Sequence, residues 1–188
     1  GKSTLCQIME RFYNPDKGRL VLNGNDASMI PLNEWSNMIA FVPQEIFLCN
    51  GTLIENICFG EKVESFEEVK DFCEKNGFDR FFRELPEGLF TVIGEGGVKL
   101  SGGQKQLVAF ARALFRPHSI FILDEMTAAM DRKTESFIND LLVKMKDDHI
   151  IICVTHRLDA ARQISDQIAV IENGVVSERG SHQELMIS

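Results

Sequence analysis

Two adjacent acids, Asp124 and Glu125, directly follow an unbroken apolar run at 120–123. Such a run is typical of a β-strand that is buried on both faces of a parallel sheet. In open α/β sheets ligands bind beyond the carboxyl ends of the strands, so both acids would lie at a ligand site. Carboxylates there can hold a metal ion and polarise a water molecule, although the pair could also serve only as a helix cap.

A second stretch with chemical potential, LSGGQ at 100–104, precedes a helical pattern. Ser101 is a good helix N-cap, and Gly102 and Gly103 place no Cβ between the backbone and a ligand. The free amides and positive dipole end of a helix N-terminus attract anions. A tight turn explains the same glycines without any ligand, and the stretch alone leaves both interpretations open.

The sequence begins with Gly1, Lys2, Ser3 and Thr4, the second half of the phosphate-binding loop G-x-x-x-x-G-K-[ST]. We expect the first five positions of that loop, and the strands before it, to be missing from this sequence. Next to this loop, the purely structural interpretations of the acid pair and of LSGGQ become much weaker. A bound nucleotide would use all three stretches, because the acids could hold its metal ion and the helix N-terminus could bind its phosphates.

The order of these motifs resembles that of the ATP-binding cassette, the nucleotide-binding domain of ABC transporters. GKST at 1–4, LSGGQ at 100–104 and ILDE at 122–125 match the end of Walker A, the signature and Walker B with its glutamate. The resemblance extends over the whole chain, and the stretches GTLIENI, VTHRL and GSHQEL are similar to those of exporter cassettes.

Three single residues extend the resemblance: Gln44 matches the Q-loop, Asp131 the D-loop and His156 the H-loop. Asp131 also fits a helix N-cap. Two positions depart from the family pattern, since Val92 stands where exporters usually have an acid and Ala128 where the family usually has a serine.

The resemblance implies ATP and Mg²⁺ as cofactors and ATP hydrolysis as the activity. Lys2 would neutralise the β- and γ-phosphates, Glu125 would position or deprotonate the attacking water, and His156 would steady the γ-phosphate. The implied catalytic residues are Glu125, His156, Gln44 and Lys2. The implied cofactor-binding residues are Gly1, Lys2, Ser3, Thr4, Gln44, Asp124, Ser101, Gly102, Gly103, Gln104 and Asp131, and the implied metal ligands are Ser3, Gln44 and Asp124.

The resemblance also implies partners and a location. In the family, the signature of one cassette completes the ATP site of a second cassette in a head-to-tail dimer, and the dimer drives transmembrane domains. We therefore expect a soluble fragment that works at the cytoplasmic face of a membrane as part of a transporter, with Phe47 and Leu48 near the docking place of the transmembrane domains. The formal charge of −8 argues against a nucleic-acid partner.

Other classes of cassette protein are alternatives. A soluble ABC ATPase of DNA repair or chromosome structure carries long coiled coils between the Q-loop and the signature, and 44–100 is too short for one. A translation-associated cassette protein would normally contain two cassettes in tandem. A binding-only regulatory cassette has no need of the catalytic glutamate that Glu125 represents.

The elements that position these residues are expected to form one domain of the α/β class. The length of 188 residues, with 44% hydrophobic and 26% charged content, is typical of an ordinary globular protein. The alternation of strands and helices predicts a P-loop NTPase core with a mostly parallel sheet. Residues 1–188 would be a partial ABC ATPase domain, with a helical subdomain inserted at about 53–115.

Local patterns predict the main elements. We expect an apolar strand at 39–42, buried strands at 120–123 and 150–155, and a terminal hairpin that turns at Asn173-Gly174. Helices are expected at 4–12, with the apolar stripe Leu5, Ile8, Met9 and Phe12, and at 65–76, capped by Ser65 and Gly77. The five cysteines have irregular spacing, which favours buried free thiols. We interpret His118, His149 and His182 as surface residues.

Overall fold

The computed structural model describes residues 1–61, 63 and 65–187, and helices alternate with strands along most of this part of the chain. The helices are α1 (Lys2–Met9), α2 (Leu32–Met38), α3 (Leu53–Cys58), α4 (Phe66–Asn76), α5 (Asp79–Phe82), α6 (Gly102–Phe115), α7 (Arg132–Met145), α8 (Leu158–Ile164) and α9 (His182–Leu185). The strands are β1 (Val21–Leu22), β2 (Asn25–Asp26), β3 (Ile39–Val42), β4 (Gly51–Thr52), β5 (Val92–Ile93), β6 (Ile120–Asp124), β7 (Ile150–Val154), β8 (Ile168–Glu172) and β9 (Val175–Gly180).

The central sheet is parallel and has the order β3-β6-β7. All five residues of β6 are buried, which confirms the strand predicted from the apolar run. Strand β7 is parallel as predicted, but the prediction that it is buried was wrong. In the described part of the chain it pairs only with β6, and a groove of about 720 Å³, here called the β7–β8 groove, lies between β7 and β8. Ile150 is therefore 49% exposed.

The helices between β3 and β6 share a continuous apolar core with the sheet. Phe78 is fully buried at its centre, and its ring contacts the rings of four other phenylalanines. Residues of α6 pack in the same cluster as Val42 of β3 and Leu123 of β6. The boundaries of a separate helical subdomain at about 53–115 stay a prediction.

Most residues predicted to cap helices or form turns do so in the structure. Ser65 accepts a hydrogen bond from the Glu68 amide at the start of α4, and Gly77 ends that helix with a φ of 78°. Helix α1, however, ends before the predicted position. Arg11 adopts a φ of 61°, which turns Phe12 away from the predicted stripe, and Cys6 rather than Leu5 is buried against β6.

All three histidines interpreted as surface residues, His118, His149 and His182, are half-buried. The rings of His118 and His149 both stand edge-on to Phe121, and each Nδ1 lies at hydrogen-bond distance from a helix carbonyl oxygen. Burial lowers the pKa of His118.

The cysteines follow the prediction in most cases, since Cys6, Cys58 and Cys73 are buried free thiols. No helix in the described part of the chain is long and apolar enough to cross a bilayer.

Candidate functional site

Three polar side chains meet where the parallel strands of the central sheet end. Gln44 follows β3, Glu125 follows β6 and His156 follows β7, each within two residues of the strand end. Because parallel strands place their carboxyl ends at one edge of a sheet, residues far apart in sequence come together there. Helix α1, which packs on β6 through Cys6, brings Lys2 to the same edge.

The four side chains form one hydrogen-bonded series. The Gln44 amide nitrogen Nε2 donates to Glu125 Oε2 at 2.8 Å, and His156 Nε2 lies 2.8 Å from Glu125 Oε1. Lys2 Nζ lies 3.4 Å from His156 Nδ1. A lysine ammonium can only donate, so Nδ1 accepts from it and the ring proton on Nε2 is donated to Glu125. Both carboxylate oxygens of Glu125 are therefore engaged.

The backbone of Glu125 is strained. Its φ of 50° is in the left-handed region, which costs a residue other than glycine on the order of 1–3 kcal/mol. The surrounding structure holds it there, since the Glu125 amide donates to the Val154 carbonyl oxygen of β7 at 2.9 Å. This turn aims the side chain across the strand ends, and the side chain is only 20% exposed. No local sequence signal predicts the turn, because it depends on pairing with β7.

Gln106 also belongs to the site, and the sequence analysis missed it. It lies on α6 and is only 4% exposed. Its Nε2 is 3.5 Å from the Glu125 carbonyl oxygen, and its Oε1 accepts from the Ala129 amide at 3.3 Å. Gln106 thus connects α6, the helix that begins with the signature, to Glu125 and to Ala129. A polar residue beside the apolar run at 107–111 is the signal that could have identified it.

The first turn of α1 is open to an anion. Its N-cap, Gly1, makes no side-chain cap, and the turn contains no acidic residue. Gly1, Ser3 and Thr4 are exposed, so the amides of this turn are accessible to solvent. Free amides at the positive end of a helix, next to a lysine, are chemically suited to phosphate.

The donor set near β6 fits Mg²⁺ bound together with phosphates. Asp124 is a buried carboxylate at the end of β6, and Ser3 and Gln44 offer a hydroxyl and an amide oxygen. Among the described residues no group of three or more His, Cys, Asp and Glu side chains could hold a metal ion. Magnesium commonly takes one or two carboxylates, with water and phosphate oxygens as its other ligands. These residues therefore match that mode of binding.

The signature lies at the start of α6 and packs against its own chain. Ser101 and Gln104 form a capping box, in which Ser101 accepts from the Gln104 amide and Gln104 Oε1 accepts from the Ser101 amide. A Cβ on Gly103 would lie 2.9 Å from the Ala129 carbonyl oxygen, and one on Gly102 would lie 3.0 Å from the Ala129 Cβ. Both glycines thus allow close contact with the segment after Glu125.

Asp131 is the N-cap of α7, as one of its two interpretations predicted. Its Oδ1 accepts from the Thr134 amide at 2.9 Å, and this hydrogen bond lowers the pKa of its carboxyl. Asp131, Ser101, Gly103 and Gln104 line a cavity of about 370 Å³. Neither Lys2 nor Glu125 lines that cavity, so the signature and the Lys2–Glu125 series face different spaces within one chain.

The fold and the site together indicate the class of protein to which the chain belongs. A parallel sheet whose strand ends carry an acid pair, beside a helix that begins with lysine, is the arrangement of a P-loop nucleotide-binding domain. Residues 1–128 match the family described as ABC transporter, and the chain belongs to this family.

Relatives and solved structures agree with this assignment. The chain is 42% identical over 189 residues to multidrug resistance protein 1 of Entamoeba histolytica, covering 99% of this chain and 14% of that protein. It is 39% identical over 186 residues to an ATP-dependent lipid A-core flippase of Chromobacterium violaceum, covering 99% of this chain and 32% of the flippase. A bacterial Atm1-family ABC exporter solved with ATP bound matches the whole chain with a TM-score of 0.90 and 35% identity, and the match covers 33% of that exporter. The chain thus spans at most about a third of these proteins.

Proposed function

We propose that this chain binds and hydrolyses ATP as the nucleotide-binding domain of an ABC exporter, at the cytoplasmic face of a membrane. The observation that carries the proposal is the series Lys2–His156–Glu125–Gln44 at the carboxyl edge of the parallel sheet. Its members come from four separate parts of the sequence, and a purely structural role would not require them to converge on one glutamate whose side chain is only 20% exposed. The relatives named as a flippase and an exporter support the transport step.

Each residue has a role that follows from its contacts. Lys2 and the open amides of α1 bind the phosphates, and His156 holds the proton that faces Glu125. Glu125 orients the attacking water and accepts its proton, after one of its two present hydrogen bonds has been released. Mg²⁺, held by Ser3, Asp124 and Gln44, would neutralise charge on the phosphates. Positioning and neutralisation of charge are what phosphoryl transfer mainly requires.

A second cassette is proposed to complete the site. The signature residues face a cavity that Lys2 and Glu125 do not line, so one chain cannot present both sets to the same nucleotide without rearrangement. A second cassette in head-to-tail orientation would place its own signature over the phosphates bound at α1. Asp131 lies beside the signature and is exposed, as a residue at such an interface would be.

Transmembrane domains are proposed as the mechanical partner. Phe47 is 80% exposed and Phe59 is 49% exposed. Both line a groove of about 260 Å³ between α6 and the loop at 43–50, here called the Gln44 loop. Large exposed aromatic side chains beside a groove are typical of a docking site for an apolar segment. Leu48, which was expected beside Phe47, instead packs against the core.

The test is ATP turnover by the complete transporter that carries this domain, with Glu125→Gln compared with wild type. We expect the variant to lose about 10²- to 10⁴-fold in kcat while it still binds MgATP, because the proton acceptor is removed and the phosphate site is kept. Glu45→Gln, which removes an exposed carboxylate next to Gln44, is the matched control and should keep its turnover. Wild-type protein that binds ATP without turnover would identify a binding-only cassette and overturn the proposal.

A further inference from the structure

A fully buried asparagine, Asn56 of α3, holds the loop that follows Gln44. Its Oδ1 accepts from the Cys49 amide at 2.8 Å, and its Nδ2 donates to the carbonyl oxygens of Cys49 at 2.9 Å and Thr52 at 3.1 Å. One side chain thus pairs both backbone groups of Cys49. These hydrogen bonds hold the loop as a neighbouring β-strand would hold it. Loss of the Asn56 side chain would leave buried polar groups without partners.

Arg112 of α6 fixes the same loop from the other side. Its Nε donates to the Asn56 carbonyl oxygen at 2.7 Å, its Nη2 to Asn56 Oδ1 at 3.1 Å and its Nη1 to the Phe47 carbonyl oxygen at 3.2 Å. The guanidinium also lies over the ring of Phe59, 5.0 Å from its centroid. All three acceptors are uncharged oxygens, although burial of a cation is expensive without a compensating charge.

The two residues connect elements that the proposed mechanism must coordinate. Gln44, which contacts Glu125, begins the loop that Asn56 and Arg112 hold. Helix α6, which carries Arg112, begins with the signature. The loop also reaches the segment ahead of the signature, because Asn50 Oδ1 accepts from the Glu95 amide at 2.7 Å. The loop is therefore joined to the chain on both sides of 100–104.

We propose that Arg112, acting through Asn56, is a positioning residue that couples the position of Gln44 to the position of α6, the helix that begins with the signature. The inference rests on the proposed ATPase function. A displacement of Gln44 on nucleotide binding would be passed to α6 through the guanidinium, because its three hydrogen bonds reach the Phe47 carbonyl oxygen and both the backbone and the side chain of Asn56. A lysine at this position cannot make the same three hydrogen bonds, since only a planar guanidinium presents several N–H groups at fixed angles.

The first test is steady-state ATPase activity of the complete transporter with Arg112→Met and Arg112→Lys. We expect kcat to fall about tenfold in both variants, with KM for ATP within about twofold of wild type, because the contacts at Lys2 are unchanged. Arg116→Met is the matched control. Arg116 lies one turn further along the chain and contacts the Phe59 carbonyl oxygen and Glu61 rather than the Gln44 loop. An equal loss in the control, or a full rescue by lysine, would overturn the proposal.

A double-mutant cycle separates positioning from general destabilisation. If Arg112 acts through Gln44, Arg112→Met combined with Gln44→Ala should reduce kcat no further than Gln44→Ala alone. Losses that multiply would show that Arg112 acts independently of Gln44.

Hydrogen exchange supplies a readout that does not depend on turnover. In the nucleotide-free transporter, Arg112→Met should speed exchange of the amides at 45–50 by about tenfold, and Arg116→Met should not. Exchange that is the same in wild type and Arg112→Met would contradict the proposed link. An inactive wild-type protein that still shows this difference would instead refute the ATPase proposal and leave the link standing.

Discussion

Replacing Glu10 by glutamine should stabilise the protein at pH 8 and have much less effect at pH 5. Glu10 follows the last turn of α1, and its Oε2 is buried with no hydrogen-bond partner in the described structure. Burial raises the pKa of this carboxyl from 4.5 to about 7. The folded state therefore holds the proton more tightly than the unfolded chain does. Below pH 4.5 the carboxyl is neutral in both states, and between 4.5 and 7 the unfolded chain ionises first, so stability falls as the pH rises.

The size of the effect follows from the same values. A pKa that rises from 4.5 to about 7 corresponds to at most about 3.4 kcal/mol at 1.36 kcal/mol for each pKa unit. Glu10 is only partly buried, so solvent screening reduces this to roughly 1–2 kcal/mol. For a protein of this size, that is a shift in Tm of about 2–8 °C.

The assay is thermal unfolding of wild type and Glu10→Gln at a series of pH values from 5 to 8. The glutamine amide is itself imperfectly paired when buried, which adds a cost that does not vary with pH. The informative quantity is therefore the way in which the difference in Tm between Glu10→Gln and wild type changes with pH. Glu34→Gln, which removes an exposed carboxylate from α2, controls for the loss of charge. A difference in Tm that stays constant from pH 5 to pH 8 would refute the argument.

Three further substitutions test the packing and the caps. Gly103→Ala should cost about 1–3 kcal/mol in urea unfolding, because its Cβ would meet the Ala129 carbonyl oxygen at 2.9 Å and the backbone must move; a change below about 0.5 kcal/mol would contradict this contact. Phe78→Ala should cost about 3–5 kcal/mol in the same assay, since the ring is fully buried among four others, whereas truncation of the half-exposed Phe90 should cost far less. Thr52→Ala removes the capping box of α3 and should cost about 0.5–2 kcal/mol, with Thr52→Ser as the variant that keeps the cap.

Local and periodic features of the fold were predictable from sequence. The apolar run at 120–123 is typical of a buried strand, and Ser65 and Gly77 mark the ends of α4 by their own conformational preferences. The Asn173-Gly174 turn followed from the ease with which both residues adopt positive φ, which are 50° and 82° here. These signals are local, so the sequence carries them directly.

Features that depend on distant contacts were not predictable. The left-handed turn at Glu125 exists because β7 binds its amide, and the role of Gln106 exists because α6 passes beneath that turn. The half-buried state of His118 likewise depends on Phe121 of β6. The family resemblance implied that Gln44, Glu125 and His156 share one ATP site, whereas their individual hydrogen bonds are visible only in the structure. The catalytic roles of these residues stay proposals, derived from resemblance and geometry.

The β7–β8 groove has a practical consequence for anyone who expresses residues 1–188 alone. A strand that is paired on one side presents a row of backbone donors and acceptors to any chain that can extend alongside it. Apolar side chains such as Ile150 and Ile152 border the same groove, so a strand added there would also bury hydrocarbon. A polypeptide of residues 1–188, purified alone, should therefore form oligomers through β7 as its concentration rises. A polypeptide segment that occupies this edge during expression should be the most effective way to keep it monodisperse.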